Sequence, residues 1–216
     1  CMEERYYDTN GEPVLRKDEG YAMVRYQYND LLQEQARYYY GLDGQYIEGK
    51  EQCAGYWYNY DERGNQTYIW RLDTNGTSVR QGGKGGEIQY RIFDEFDNLI
   101  WDAYFVYDGN EYQRKDFKNL GYFGISYSYE NSKLIEKAYK NVKSNYTVSP
   151  EDGYAILKQE YNNCGLLKRK EYHDAKGKLI DVMNGDKAYA KIEYVYDASG
   201  NCTKRLYYNS KGKLLK

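Results

Sequence analysis

The stretch "AYAKIEYVYDASGN" (Ala188–Asn201) decides how this chain is read. Side chains alternate along an extended backbone. Ala188, Ala190, Ile192, Tyr194 and Tyr196 therefore fall on one face, and Tyr189, Lys191, Glu193 and Val195 on the other. Period two built from Tyr, Ile and Val predicts a strand with one buried face. The first set is the more apolar, so Tyr194 is expected inside and Tyr189 outside. "DASGN" then supplies the Asp and Gly of a hairpin turn, and "CTKRLYY" (Cys202–Tyr208) is the returning strand. Far upstream, "GYAMVRYQY" (Gly20–Tyr28) has the same small start, apolar middle and closing Tyr-x-Tyr. "GYFGISYSY" (Gly121–Tyr129) alternates likewise, which places Tyr127 inside.

The hairpin is one part of a longer repeat. An aromatic followed by Asp, Asn or Glu recurs at Tyr28, Tyr60, Phe93, Tyr129, Tyr161 and Tyr196. A second pattern, best seen as "YYDTNG" and "YYNSKG", starts near residues 6, 39, 71, 104, 139, 172 and 207, in steps of 32 to 35 residues. A small residue and an aromatic lead into the hairpin at Gly20-Tyr21, Gly121-Tyr122, Gly153-Tyr154 and Ala188-Tyr189. The chain is thus expected to be all-β, with antiparallel β-hairpins stacked in an elongated sheet or solenoid. Residues 1–216 read as a single array of about six 33-residue units. A unit with two or three short strands cannot bury a face alone, but a stack can. "LLQEQARYYY" (Leu31–Tyr40) looks helical, yet the repeat assigns it to a return strand. The third unit fits worst. Its alternation slips by one residue in "GEIQYRIF" (Gly86–Phe93), which predicts a bulge.

Composition agrees with a thin structure. Of 216 residues, 30 are Tyr, against 5 Phe and 3 Trp, so amphipathic rings must do much of the burial. The net charge of −2 gives the whole chain no electrostatic footprint for nucleic acid. From Leu166 to Lys216, 12 Lys and Arg stand against 6 Asp and Glu. That segment reads as a solvated, Lys-protected sheet edge or as a contact for an anionic polymer. No stretch approaches the ~20 apolar residues of a membrane span. The opening Cys1-Met2 lies inside a repeat and is expected to be a fragment boundary. Cys1, Cys53, Cys164 and Cys202 are too widely spaced for a metal pattern and too few for a disulfide scaffold.

At "YVYDASGN" (Tyr194–Asn201) and "YNYDERGN" (Tyr58–Asn65) the chain resembles the YD repeats of Rhs-type proteins, with their Tyr-x-Tyr-Asp-x-x-Gly signature. The resemblance implies curled sheets of β-hairpins in large bacterial surface and toxin proteins. The period here is longer than that family's. "YYDTNGEPV" (Tyr6–Val14) is similar to the cell-wall or glucan-binding repeats of Gram-positive surface proteins, which implies ligand binding between aromatic rings. The regular Trp partners of those repeats are missing: Trp57, Trp70 and Trp101 keep no common register.

Catalytic and metal chemistry find little support. His173 is the only histidine and occupies the register of Tyr7, so it reads as a substituted repeat tyrosine. "GGKGGE" (Gly82–Glu87) lacks the Lys-Ser/Thr ending of a phosphate loop. "DTNG" at Asp8 and Asp73 is half of a calcium loop without its distal Glu. No catalytic residue, metal site or cofactor is expected. Candidate binding residues are Trp57, Tyr154, Tyr189 and Tyr21, whose rings fall on the face opposite the apolar one in this register. Exposed there, they would stack on sugars or on a protein; otherwise they ladder with one another. Two functions follow. One is a non-catalytic, extracellular or surface-displayed scaffold, spacer or adhesive module. The other is a module binding cell-wall polysaccharide or other glycan. The partner is cell-wall polysaccharide or another surface protein, with no nucleic acid.

Overall fold

The computed structural model describes residues 2–75, 87–107, 110–116, 120–185 and 187–215. Cys1 and the glycine-rich stretch 82–86 lie outside the described residues. The chain is all-β, built from antiparallel hairpins, and has no helix among the described residues. It divides into two compact units: one of residues 1–91 and 104–113, the other of 92–103 and 114–216.

The first unit holds β1 (Met2–Arg5), β2 (Met23–Tyr28), β3 (Glu34–Tyr40), β4 (Gly55–Tyr60), β5 (Gln66–Leu72) and most of β6 (Glu87–Phe93). Each pairs antiparallel with the next. The second half of β7 (Leu99–Tyr107) and the start of β8 (Tyr112–Arg114) also belong here. The second unit contains β9 (Gly124–Glu130), β10 (Lys133–Lys140), β11 (Ile156–Tyr161), β12 (Leu167–His173), the short hairpin β13 (Val182–Asn184) and β14 (Lys187–Tyr189), then β15 (Lys191–Tyr196) and β16 (Cys202–Tyr208). Its sheet runs β7-β9-β10-β11-β12-β15-β16. The stretch Leu31–Tyr40 contributes β3, as its place in the repeat predicts.

The signature turn is the same in each unit. Asp197 N–H donates to the Asn201 carbonyl at 3.0 Å, and Asp197 Oδ1 accepts from Ser199 and Asn201 N–H at 2.9 Å each. Asp61 repeats this with Arg63 and Asn65. The fourth turn residue needs positive φ, which Gly64 and Gly200 supply at 89° and 83°. One register shift per hairpin, as at Val195/Tyr196 and Asn59/Tyr60, absorbs the odd residue of the turn. The closing tyrosine then ties one hairpin to the one before it. Tyr60, Tyr161 and Tyr196 donate their hydroxyls to the carbonyls of Glu34, Leu134 and Leu167 at 2.5, 3.1 and 2.8 Å. Phenylalanine would fill the same space without making that bond.

Leu32 occupies the glycine position of its own turn at φ 61°, with its side chain in solvent. A left-handed L-residue there costs about 1–2 kcal/mol, and an exposed side chain offsets little of it. Leu32→Gly is therefore expected to raise stability by up to about 1 kcal/mol, after the glycine entropy cost. A melting temperature below that of the parent protein would contradict this account.

The core is an aromatic ladder. In the second unit Tyr122, Tyr139, Tyr154, Tyr172, Tyr189 and Tyr207 follow one another at centroid distances of 4.7, 5.8, 5.2, 6.0 and 5.0 Å. In the first unit Tyr6, Tyr21 and Tyr39 do the same at 6.0 and 4.4 Å, the second pair nearly parallel at 2°. The ladder interleaves the two sequence patterns. The rings that start each repeat (Tyr39, Tyr139, Tyr172, Tyr207) alternate with the lead-in rings (Tyr21, Tyr122, Tyr154, Tyr189).

This corrects the expected faces. Tyr189 is 4% exposed and Tyr154 and Tyr21 are each 7% exposed, whereas Tyr194 and Tyr127 are only half-buried. The backbone bends at the residue after each lead-in tyrosine, which is Ala22, Ala155 and Ala190 in three repeats and Phe123 in a fourth. Alternation counted through that bend puts the tyrosine on the wrong side. The bend is fixed by hydrogen bonds on both sides. Ala190 N–H donates to the Tyr208 carbonyl at 2.8 Å, and its carbonyl accepts from Tyr172 N–H at 2.9 Å. Ala22, Ala54 and Ala155 make the equivalent pairs. Each is almost fully buried.

Candidate functional site

The structure spends most of the candidate binding rings on the ladder. Tyr21, Tyr154 and Tyr189 are covered by neighbouring rings and present no open face to a ligand. Tyr189 also accepts a hydrogen bond from Asn184 at 2.7 Å. Burial raises the Tyr21 hydroxyl pKa to about 12, and it raises those of Tyr154 and Tyr172 as well. Only Trp57 departs from the ladder: it is half-buried and lies edge-on to Trp70 at 4.7 Å.

Other candidate groups are also engaged. His173 is buried, and its bridge to Leu179 matches that of Tyr7 to Pro13, the register expected for a substituted tyrosine. Its Nδ1 lies 3.1 Å from the Gly177 carbonyl. Asp8 caps its own turn, accepting from Asn10 and Glu12 N–H at 2.8 and 3.0 Å. Among the described residues no group of three His, Cys, Asp or Glu could hold a metal ion. Cys53, Cys164 and Cys202 are free thiols.

Charge in the basic segment is partly neutralised. Lys168 and Arg169 pair with Glu160 at 2.6 and 2.9 Å, and Lys191 pairs with Glu193 at 2.7 Å. Of these residues, Glu160 and Arg169 line a shallow cavity of about 890 Å³ in the second unit, whose wall carries both signs of charge, among them Lys133, Glu136, Lys158 and Glu171. It offers no single-sign field for an anionic chain.

A second cavity has a different character. It lies in the first unit, on the face opposite the ladder. Paired residues of an antiparallel sheet share a face. Trp57 opposes Trp70, Trp70 opposes Ile88, and Tyr68 opposes Tyr90, so these five side chains share one face. On the same strand as Trp57, Tyr56 and Tyr58 alternate to the ladder face, where Tyr56 meets Tyr39 and Tyr58. What sets the third unit apart is its sequence, whose alternation slips by one in Gly86–Phe93. Its pairing with β5 runs without the expected bulge. A slip of one residue flips every side chain to the other face. Gln89 therefore takes the ladder side, while Ile88 and Tyr90 join Trp57 and Trp70.

The result is a cavity of about 450 Å³ with an aromatic lining. Trp70 and Ile88 form its buried floor, and Tyr68, Tyr90 and Phe105 its walls. Tyr68 stacks on Tyr90 at 4.7 Å and on Trp70 at 5.2 Å. Tyr112 at the rim is 52% exposed, and Asn59 adds one amide. Tyr68, Trp70, Tyr90, Phe105 and Tyr112 were not among the candidates from sequence. The signal for this site was the irregular third unit itself.

No family model matches the chain, and no curated protein does. Among solved structures, the chain is similar to one in the TcdB2-TccC3-TEV crystal structure, at 10% sequence identity and a TM-score of 0.30. The match covers 95% of this chain and 12% of that one, so this chain spans a small share of the other's length.

Proposed function

We propose that the chain is a non-catalytic β-repeat module of the YD type, acting as a scaffold or spacer within a bacterial surface or secreted protein. The observation that carries this reading is the ladder. The tyrosine excess is taken up by ring stacking within the core and by hydroxyls tying hairpin to hairpin, which leaves it structural work rather than ligand contact. The YD assignment and the extracellular compartment rest on the resemblance at Tyr58–Asn65 and Tyr194–Asn201. Protection of the protein from protease added to intact cells would remove the surface placement.

A scaffold of stacked units depends on nearest neighbours only. Deleting residues 139–171 removes one full period and should leave a folded protein, because Tyr172 then follows Ala138 as Tyr139 did. Deleting residues 139–152 alone removes one rung and its turn but keeps Tyr154, which breaks the alternation. The first variant is expected to keep a strand-type circular dichroism spectrum and a cooperative melt, and the second to lose both. Equal loss in the two variants would contradict the modular scaffold.

A further inference from the structure

One edge of the second unit carries charge of a single sign. β10, β12 and β16 are separated by single antiparallel strands, so they run the same way and the turns that follow them lie along one edge. The three turns are built alike. Asn141, Asp174 and Asn209 each accept two backbone N–H groups at Oδ1, from Lys143 and Asn145, Lys176 and Lys178, and Lys211 and Lys213. Residues 140–145, 174–179 and 209–214 hold six lysines and one carboxylate, Asp174. The fold does not require those lysines. Equivalent turns of the first unit close through the same backbone bond with Asn10 and Glu12, or Asp43 and Gln45, in the lysine positions.

These turn lysines differ from those on the sheet faces. Lys137, Lys168 and Lys191 are held by Asp152, Glu160 and Glu193, and Lys140 lies against the Tyr146 ring. Lys143, Lys176, Lys178, Lys211 and Lys213 are exposed and form no ion pair among the described residues. Arg114 adds a cation beside the first turn, where it donates to the Val142 carbonyl and the Ser144 hydroxyl. The spacing of this row is set by the sheet. Ala138 pairs with Ile156 and Ile156 with His173, although the repeat equivalent of His173 is Lys140. Two strand spacings and that two-residue stagger put successive tips roughly 10–12 Å apart. A nucleic acid places a phosphate at about every 3.4 Å of strand axis, so most of its charges would meet no lysine. A polysaccharide with a carboxylate on alternate sugars spaces its charges two rings apart, which matches the row. We infer that the turn edge of the second unit binds a linear acidic polysaccharide of that kind, with Lys143, Lys176 and Lys211 each facing one carboxylate and Lys178 and Lys213 adding to the field. The inference goes beyond the scaffold reading and does not depend on it.

The test measures binding of the full chain by fluorescence anisotropy over a series of salt concentrations. The probes are a labelled hyaluronate oligosaccharide, whose carboxylates lie on alternate sugars, a single-stranded oligothymidylate of equal charge, and uncharged dextran. Hyaluronate is expected to bind, oligothymidylate to bind more weakly and dextran not at all, with hyaluronate affinity falling as salt rises. Combining Lys143→Glu, Lys176→Glu and Lys211→Glu should weaken hyaluronate binding at least about tenfold. It should also lower the salt slope by about 2, at roughly 0.7 per charge neutralised on a single strand. The control combines Lys17→Glu, Lys50→Glu and Lys158→Glu, three exposed lysines off this edge with the same change in net charge, and should lose far less. If the edge reversal fails to fold, Lys143→Gln, Lys176→Gln and Lys211→Gln together carry the same comparison. The inference is overturned if hyaluronate does not bind at low salt, if oligothymidylate binds as tightly, or if the control variant loses as much affinity as the edge variant.

Discussion

Tyr139→Ala is expected to cost about 3–5 kcal/mol of stability, the range for truncating a large aromatic in a packed core. The ring is 3% exposed, 4.7 Å from Tyr122 and 5.8 Å from Tyr154. Its removal opens a gap in the middle of the second-unit ladder, which a rigid sheet cannot close. The hydroxyl matters less than the ring. It donates to Asp152, which also accepts from Lys137 Nζ at 3.0 Å. Burial alone would raise the Asp152 pKa, but the hydrogen bonds from Tyr139 and Lys137 bring it below the usual carboxylate range. Tyr139→Phe keeps the ring and the Lys137 pair, so its cost should be about 1 kcal/mol. Tyr189→Ala should fall in the same range as Tyr139→Ala, because it too is a closed rung. Tyr194→Ala should cost about half as much, since that ring is half-buried, with the Arg205 guanidinium 5.9 Å from its centroid. Urea melts with unchanged slopes would establish the order. Equal costs at Tyr139 and Tyr194 would mean that the ladder is not the core.

Alkaline pH should unfold the protein cooperatively. Burial raises the pKa of Tyr21 from 10.0 to about 12, and raises Tyr39, Tyr58, Tyr139, Tyr154 and Tyr172 further. At Tyr139 the bond to Asp152 adds to the effect. A folded-state pKa above the unfolded value means that the native state binds the proton more tightly. Below the unfolded value of about 10 these hydroxyls are protonated in both states, and their contribution is fully present. As pH rises past about 10 the unfolded chain ionises first, and stability falls through the folded-state values. Because several rungs are linked, the loss should be steep rather than residue by residue. Stopped or equilibrium titration should show tyrosinate absorbance lagging and then rising together with loss of the strand signal. Smooth ionisation of these tyrosines with the strand signal intact would sink the prediction.

These two results separate what each level of structure decides. The local chemistry was legible in the sequence. Tyr-x-Tyr-Asp-x-x-Gly-Asn specifies a turn whose Asp caps its own backbone and whose Gly accepts positive φ, and those are properties of adjacent residues. The return strands Gln66–Leu72 and Cys202–Tyr208 therefore appear where the repeat puts them. His173 likewise keeps the register of Tyr7 because a repeat preserves spacing. The choice of face was not legible. It depends on the bends at Ala22, Ala155 and Ala190, which exist only because a neighbouring strand supplies the hydrogen bonds on both sides. One residue of bend reverses the side on which Tyr189 falls, and nothing in Ala188–Tyr196 marks it. The cavity is a second case. The slip in Gly86–Phe93 was visible, but its consequence was not. Whether an odd residue becomes a bulge or a change of face is settled by pairing with β5, where Trp70 and Tyr68 were waiting on the far side. Turn chemistry and period thus came from the sequence by itself, because they are local. Burial and the candidate site came only from the tertiary structure, because they depend on what the next strand brings.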